Sequence, residues 1–149
     1  MNVIVKVFLL SMTPIGECRV SIPFGIYNGL SPFEAFVISF LGNTLMGILI
    51  YWAIDLLKNI ILNRDPFKNP YEKFVKSKLN KLKIYSLGVT FSLAIFIGMP
   101  PPGTGAFTGA ILSKVLGLNF KQAFLAISSG VFIASTIVTF LTLSSKAVF

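Results

Sequence analysis

The chain has 149 residues, of which 54% are hydrophobic and only 12% charged, and its mean hydropathy is +0.82. Soluble domains carry about 25% charged residues, so a water-soluble core of this size could not cover so much apolar surface; the composition argues against a soluble globular domain and against disorder. With no histidine and one cysteine, Cys18, the sequence also lacks the means for zinc sites, for Ser-His-Asp or Cys-His chemistry and for a disulfide scaffold.

Thirteen basic residues against five acidic ones leave a net charge of +8. In a chain this apolar, the excess points to loops on the positive-inside face of a membrane before it points to nucleic acid.

Residues 1–30 begin with a short apolar run (VFLLSM), meet a break at Thr13-Pro14-Ile15-Gly16, and continue from Ser21 to Gly29. A signal peptide is the rival reading here, but no A-x-A-like cleavage site follows the run. Residues 35–54 carry no charge over a length that can cross a bilayer once. Residues 58–83 form the polar connector, with eight basic residues against Asp65 and Glu72. Phe67, Tyr71, Phe74, Val75, Leu79 and Leu82 fall near helical spacing, so the connector is expected to be an amphipathic helix on the membrane surface. Residues 84–113 are uncharged but interrupted at Met99-Pro100-Pro101-Pro102-Gly103, where no helix can continue. Residues 122–145 form the second uninterrupted span.

Shifting the chain by 88 positions aligns Pro14 with Pro102, Gly29 with Gly117, Leu30 with Leu118, Ala35 with Ala123, Phe36 with Phe124 and Gly42 with Gly130. Both copies share one plan: short apolar run, Pro/Gly break, small-residue segment, Gly-Leu, cap, long span. Each broken segment is expected to enter and leave the bilayer on one side, because irregular backbone at membrane depth is tolerated where protein buries it. A hairpin plus one span makes an odd number of crossings, so the two copies must have opposite orientation, the inverted-repeat plan of many transporters.

The expected fold is therefore an all-α membrane protein of two inverted repeats. Each is a re-entrant or broken helical hairpin plus one long transmembrane helix. Repeat 1 covers about 1–57, repeat 2 about 84–149, and the basic amphipathic linker 58–83 joins them within a single membrane domain. A plain four-span bundle is the rival. A cytoplasmic linker puts Lys114 and Lys121 on the same side, leaving only Lys6, Arg19 and Lys146 elsewhere among the basic residues. That agrees with the positive-inside rule and gives a multi-pass protein of the cell membrane with both termini outside.

Glu17 and Arg19 are the only charges between Lys6 and Glu34. A charge at bilayer depth is costly and is normally paired or turned toward a polar cavity. Residues two apart do not face each other on a regular helix, so a direct Glu17–Arg19 pair requires non-helical backbone. Small residues recur every four positions at Ser21, Gly25 and Gly29, and again at Gly105, Gly109, Ser113 and Gly117. Under the 88-residue shift Glu17 falls on Gly105, which aims Glu17 at the opposing hairpin. The break at Pro102-Gly103-Thr104-Gly105 would expose backbone amides and the Thr104 hydroxyl, groups suited to an anion. Its spacing is neither that of a Walker loop nor that of a Rossmann turn. The segment Gly105-Ala106-Phe107-Thr108-Gly109-Ala110 also spells a loop of AAA+ transcription activators, but the nucleotide-binding motifs are absent.

The combination of Glu17-x-Arg19-x-x-Ile22-Pro23, Gly42-Asn43 and Pro100-x-Pro102-Gly103-Thr104-Gly105-Ala106 resembles the small multidrug export family of prokaryotic membrane proteins over nearly the whole chain. More distantly, the layout resembles the DedA/VTT superfamily, whose two re-entrant hairpins carry acidic and basic residues and several of whose members are linked to lipid or polyprenyl-phosphate translocation. This chain departs from the second pattern in having no charge at the tip of its second hairpin, so only Glu17 and Arg19 can carry the polar role.

These readings imply a transporter-like protein and not an enzyme, with no cofactor, no metal and no nucleic-acid partner. The expected substrate-binding or proton-coupling residues are Glu17, Arg19, Pro14, Pro23, Pro102, Gly103, Thr104 and Gly105. The expected partners are the lipid bilayer and a small amphipathic or lipid substrate. A flippase of phosphate-bearing lipids and a non-transporting structural membrane protein are the alternatives. The small size for a monomeric pathway points to a homodimer.

Overall fold

A computed structural model of the chain describes residues 2–62, 86–99 and 103–148. Every element among them is helical: α1 Val3–Ser11, α2 Glu17–Tyr27, α3 Pro32–Leu62, α4 Ser86–Gly98, α5 Ala106–Val115 and α6 Phe120–Val148. Within the two long helices, Pro32–Leu56 and Phe120–Ala147 are long and apolar enough to cross a membrane. At about 1.5 Å rise per residue, α1, with nine residues, and α4, with thirteen, fall short of a hydrocarbon core of about 30 Å. The expected linker helix and the three prolines Pro100, Pro101 and Pro102 lie outside the described residues, apart from the first linker residues, 58–62, which continue α3.

The helix ends show why the chain breaks where it does. α1 is capped by Asn2, whose side chain accepts the Ile4 amide at 3.4 Å, and ends at Ser11; just beyond, the Thr13 hydroxyl donates to the Leu10 carbonyl at 2.8 Å. The same hydroxyl accepts the Gly16 amide at 2.9 Å, so the turn into α2 is tied down by one side chain.

α2 ends at Gly29, with φ of 92°, where the Leu30 amide reaches back to the Gly25 carbonyl at 3.0 Å. α5 ends the same way at Gly117, with φ of 71° and a bond of 2.9 Å from the Leu118 amide to the Ser113 carbonyl. A left-handed residue is needed at each stop, and glycine adopts it without a Cβ penalty.

Reciprocal caps follow. The Ser31 amide donates to the Glu34 carboxylate at 2.9 Å and the Glu34 amide to the Ser31 hydroxyl at 3.2 Å. Asn119 and Gln122 repeat this at 3.1 and 3.0 Å. These are capping boxes, and stops and caps alike lie 88 positions apart.

Helix packing has the same regularity. α1 packs on α2 and α3, and α4 packs on α5 and α6; α2 and α5 each touch both long helices, which also touch each other. A side chain on Gly25 would press on Val7 of α1 and Ala35 of α3, and one on Gly109 would overlap Ile97 of α4. Gly25 and Gly109 thus let each short helix approach partners of its own half closely.

The exterior is as apolar as the interior, and the apolar core built on Ile22, Ile97 and Ile127 also encloses polar side chains. Ser21, Ser39, Asn43, Ser113 and Ser135 are buried. Leu41, Leu45, Leu49, Trp52 and Leu56, spaced along one face of α3, are all exposed, as are Phe91 on α4 and Phe140 on α6. An apolar exterior of this kind is costly in water and unremarkable in lipid.

Candidate functional site

The break between α1 and α2 meets the break between α4 and α5. Glu17 opens α2 with φ of 40°, a left-handed conformation rare outside glycine and the only positive φ on a non-glycine among the described residues. That departure from helical geometry lets residues two apart meet: the Arg19 guanidinium forms an ion pair with the Glu17 carboxylate. Glu17 is 5% exposed, and the Arg19 side chain is 13% exposed. Strain at one residue costs on the order of 1–3 kcal/mol and persists only where its surroundings impose it.

Those surroundings belong to the other half of the chain. Arg19 donates to the Met99 carbonyl, to the Thr104 hydroxyl at 2.9 Å and to the Ile97 carbonyl at 3.4 Å. Thr104 in turn donates to the Met99 carbonyl at 2.9 Å. The Glu17 carboxylate lies against Gly105, where an added Cβ would overlap it, and accepts the Phe107 backbone amide.

The cation therefore occupies the carbonyl end of α4 and the anion the amide end of α5. Each faces the partial charge of opposite sign that unsatisfied backbone groups leave at a helix end. A second break without charges of its own is thereby explained: it receives both charges from the first hairpin.

Behind the pair lies a buried polar layer. The Ser21 hydroxyl donates to the Glu17 carbonyl at 2.6 Å and lies 2.8 Å from the Ser39 hydroxyl, from which it can accept. The Cys18 thiol sits beside Ser135 of α6 and Asn43 of α3. All of these side chains are buried, and Asn43 and Ser135 fall near the middle of the two long helices.

Of the residues expected from sequence, Glu17, Arg19, Thr104 and Gly105 converge. Gly103 forms the approach turn, with φ of 88° and open space where a Cβ would stand. Pro14 is exposed in the turn between α1 and α2. Pro23 lies one turn beyond Arg19, in a groove of about 340 Å³ between α2 and α6 that also includes Arg19, Tyr27 and Thr142. Pro102 lies outside the described residues.

Sequence reasoning missed a second cluster. Lys114 of α5 pairs with Asp55 of α3, and its ammonium stands 3.5 Å from the centroid of the Tyr51 ring. The Tyr51 hydroxyl donates to the Leu118 carbonyl at 3.0 Å. Both charges were visible as the ends of apolar runs, but nothing local joins residues 59 positions apart.

Two helices of this length, with an apolar exterior and a buried ion pair between the breaks, fit a protein of the membrane. Residues 17–137 match the family model described as "Putative small multi-drug export protein", and the chain belongs to that family. The match begins at Glu17 itself. No curated protein and no solved structure matches the chain.

Proposed function

We propose that the chain is a non-enzymatic membrane transporter of small amphipathic solutes, and that the Glu17–Arg19 pair seated in the α4–α5 break is the element on which transport depends. The observation that carries this is the burial of both charges in the other hairpin's break. A pair that served only as an interfacial anchor would face water.

In this reading the two halves are inverted repeats whose hairpins re-enter from opposite faces and meet at mid-depth. Two contacts support it. Tyr27, at the end of α2, reaches Ser145 near the end of α6, at 3.3 Å, and Lys114, near the end of α5, reaches Asp55 of α3 on the approach to the linker. The two short helices thus run from a common tip toward opposite ends of the long pair. The basic linker marks the cytoplasmic end; a cysteine placed at Ser77 should resist labelling from outside intact cells.

Transport in proteoliposomes tests the site. Glu17→Gln keeps shape and removes charge, so it should abolish transport while the protein still inserts. Transport at the unmutated rate by Glu17→Gln would overturn the proposal. A second reading, in which the pair is a static clasp closing the break, is favoured by its many backbone partners. It requires Glu17→Gln to lower thermal stability in detergent while leaving the transport rate per folded molecule intact.

A further inference from the structure

Glu17 and Arg19 are paired, yet only one of them meets the groove between α2 and α6. The groove's volume is about 340 Å³, and its lining includes Arg19, Pro23, Tyr27, Val138, Thr142 and Ser145. Arg19 is the only charged residue among its described lining residues, whereas Glu17 lies behind, turned to Gly105 and the Phe107 amide. The volume is at the small end of the range of ligand sites, about 300–1,000 Å³. Its walls offer hydroxyls from Tyr27, Thr142 and Ser145 beside the apolar Pro23 and Val138.

We infer that this groove binds an amphipathic monoanion, with its headgroup at Arg19 and its apolar part along Pro23 and Val138, and that a proton on Glu17 accompanies it. The inference deepens the proposed function and rests on it for the site's role in transport.

With Glu17 ionised, the buried pair is neutral and Arg19 is held by Glu17, Thr104 and the α4 carbonyls. A proton delivered to the Glu17 carboxylate removes its negative charge and leaves Arg19 as a net positive charge in a poorly hydrated site, which is unfavourable unless compensated. One negative headgroup in the groove restores neutrality, and guanidinium suits carboxylate, sulfonate and phosphate alike. An organic cation would meet Arg19 itself and be repelled.

Among the described residues, the titratable group beside the pair is Cys18 on α2, with Tyr27 about two turns further along the same helix in the groove lining. α3 and α6 contribute the uncharged Asn43 and Ser135, and the α4–α5 break contributes Thr104 and backbone groups. Proton and anion binding are then reciprocally coupled.

Equilibrium binding of labelled octanesulfonate to the protein in phosphatidylcholine nanodiscs tests this, with octyltrimethylammonium as a matched cation. Neither probe titrates. Octanesulfonate should bind at least about tenfold more tightly than the cation, and its affinity should rise by about tenfold per unit fall in pH where Glu17 titrates, as one proton per anion requires. Glu17→Gln should bind tightly with the pH dependence gone. Ser145→Trp, which narrows the exposed end of the groove without touching the pair, should weaken binding by at least about tenfold.

Adding phosphatidylglycerol to the nanodiscs identifies the natural source. Competition with octanesulfonate assigns the groove to an anionic lipid headgroup, and its absence assigns it to a soluble anion; both support the site. Equal or tighter binding of the cation, or pH dependence retained by Glu17→Gln, would overturn the inference. Because this is a binding measurement, loss of anion preference with Glu17-dependent transport intact sinks the anion assignment alone. Anion binding with transport indifferent to Glu17 sinks the transport reading.

Discussion

The Glu17–Arg19 and Lys114–Asp55 pairs have the same chemistry in different surroundings. The first is enclosed on both sides, with side chains 6% and 13% exposed; in the second Lys114 is 11% exposed but Asp55 is 44% exposed. The first draws its partners from the ends of two other helices and from a strained residue. The second joins two helix flanks, with an aromatic ring under the lysine. A half-exposed carboxylate retains water as an alternative partner, whereas a buried one does not. Removing one member should therefore cost far more in the first pair than in the second.

The largest effect is expected from Arg19→Gln. It leaves the Glu17 carboxylate buried without its cation, and the loss should be about 3–5 kcal/mol, read as a lowered unfolding midpoint in detergent. Adding Glu17→Gln in the same chain should recover much of that loss, because the stranded charge is gone. Equal unfolding midpoints for the single and double variants would show that the pair is not the enclosed unit described here.

Gly105→Ala comes next. The new methyl would overlap the Glu17 carboxylate, and overpacking of this kind costs about 1–3 kcal/mol. The cost should shrink when Glu17 is shortened to alanine, so a double-mutant cycle in unfolding free energy should return a coupling well above zero. Additive effects would place Glu17 away from Gly105.

Asp55→Asn should have the smallest effect, within about 1 kcal/mol, since Lys114 keeps the Tyr51 ring and solvent is close. A loss as large as that from Arg19→Gln would erase the distinction between the two pairs. In transport, Glu17→Gln should be inactive and Asp55→Asn should retain most of the rate.

Much of this was legible in order along the chain. Prolines at the breaks, glycine stops at Gly29 and Gly117, and cap residues Ser31 and Asn119 act through bonds within a few residues, so sequence reading located them. The pairing of Glu17 with Gly105 across the shift of 88 positions was visible as an alignment and is a contact in space. The small-residue stripe was expected to aim Glu17 at the opposing hairpin, and at Gly105 the two meet; Gly25 and Gly109, further along, press on partners within their own halves.

Composition and spacing by themselves determined that the chain is helical and apolar enough for lipid, where its helices stop, and that Glu17 and Arg19 are the charges of the first break. These follow from local backbone chemistry and from the cost of burying charge. Tertiary structure alone decided what those charges do. The left-handed backbone at Glu17 lets it meet Arg19, and the ends of α4 and α5, some eighty residues further along the chain, supply the carbonyls, hydroxyl and amide that hold the pair. It also turned Arg19 to the groove and Glu17 away from it. Which side of a buried pair faces a cavity depends on how helices distant in sequence pack, and no local pattern encodes it.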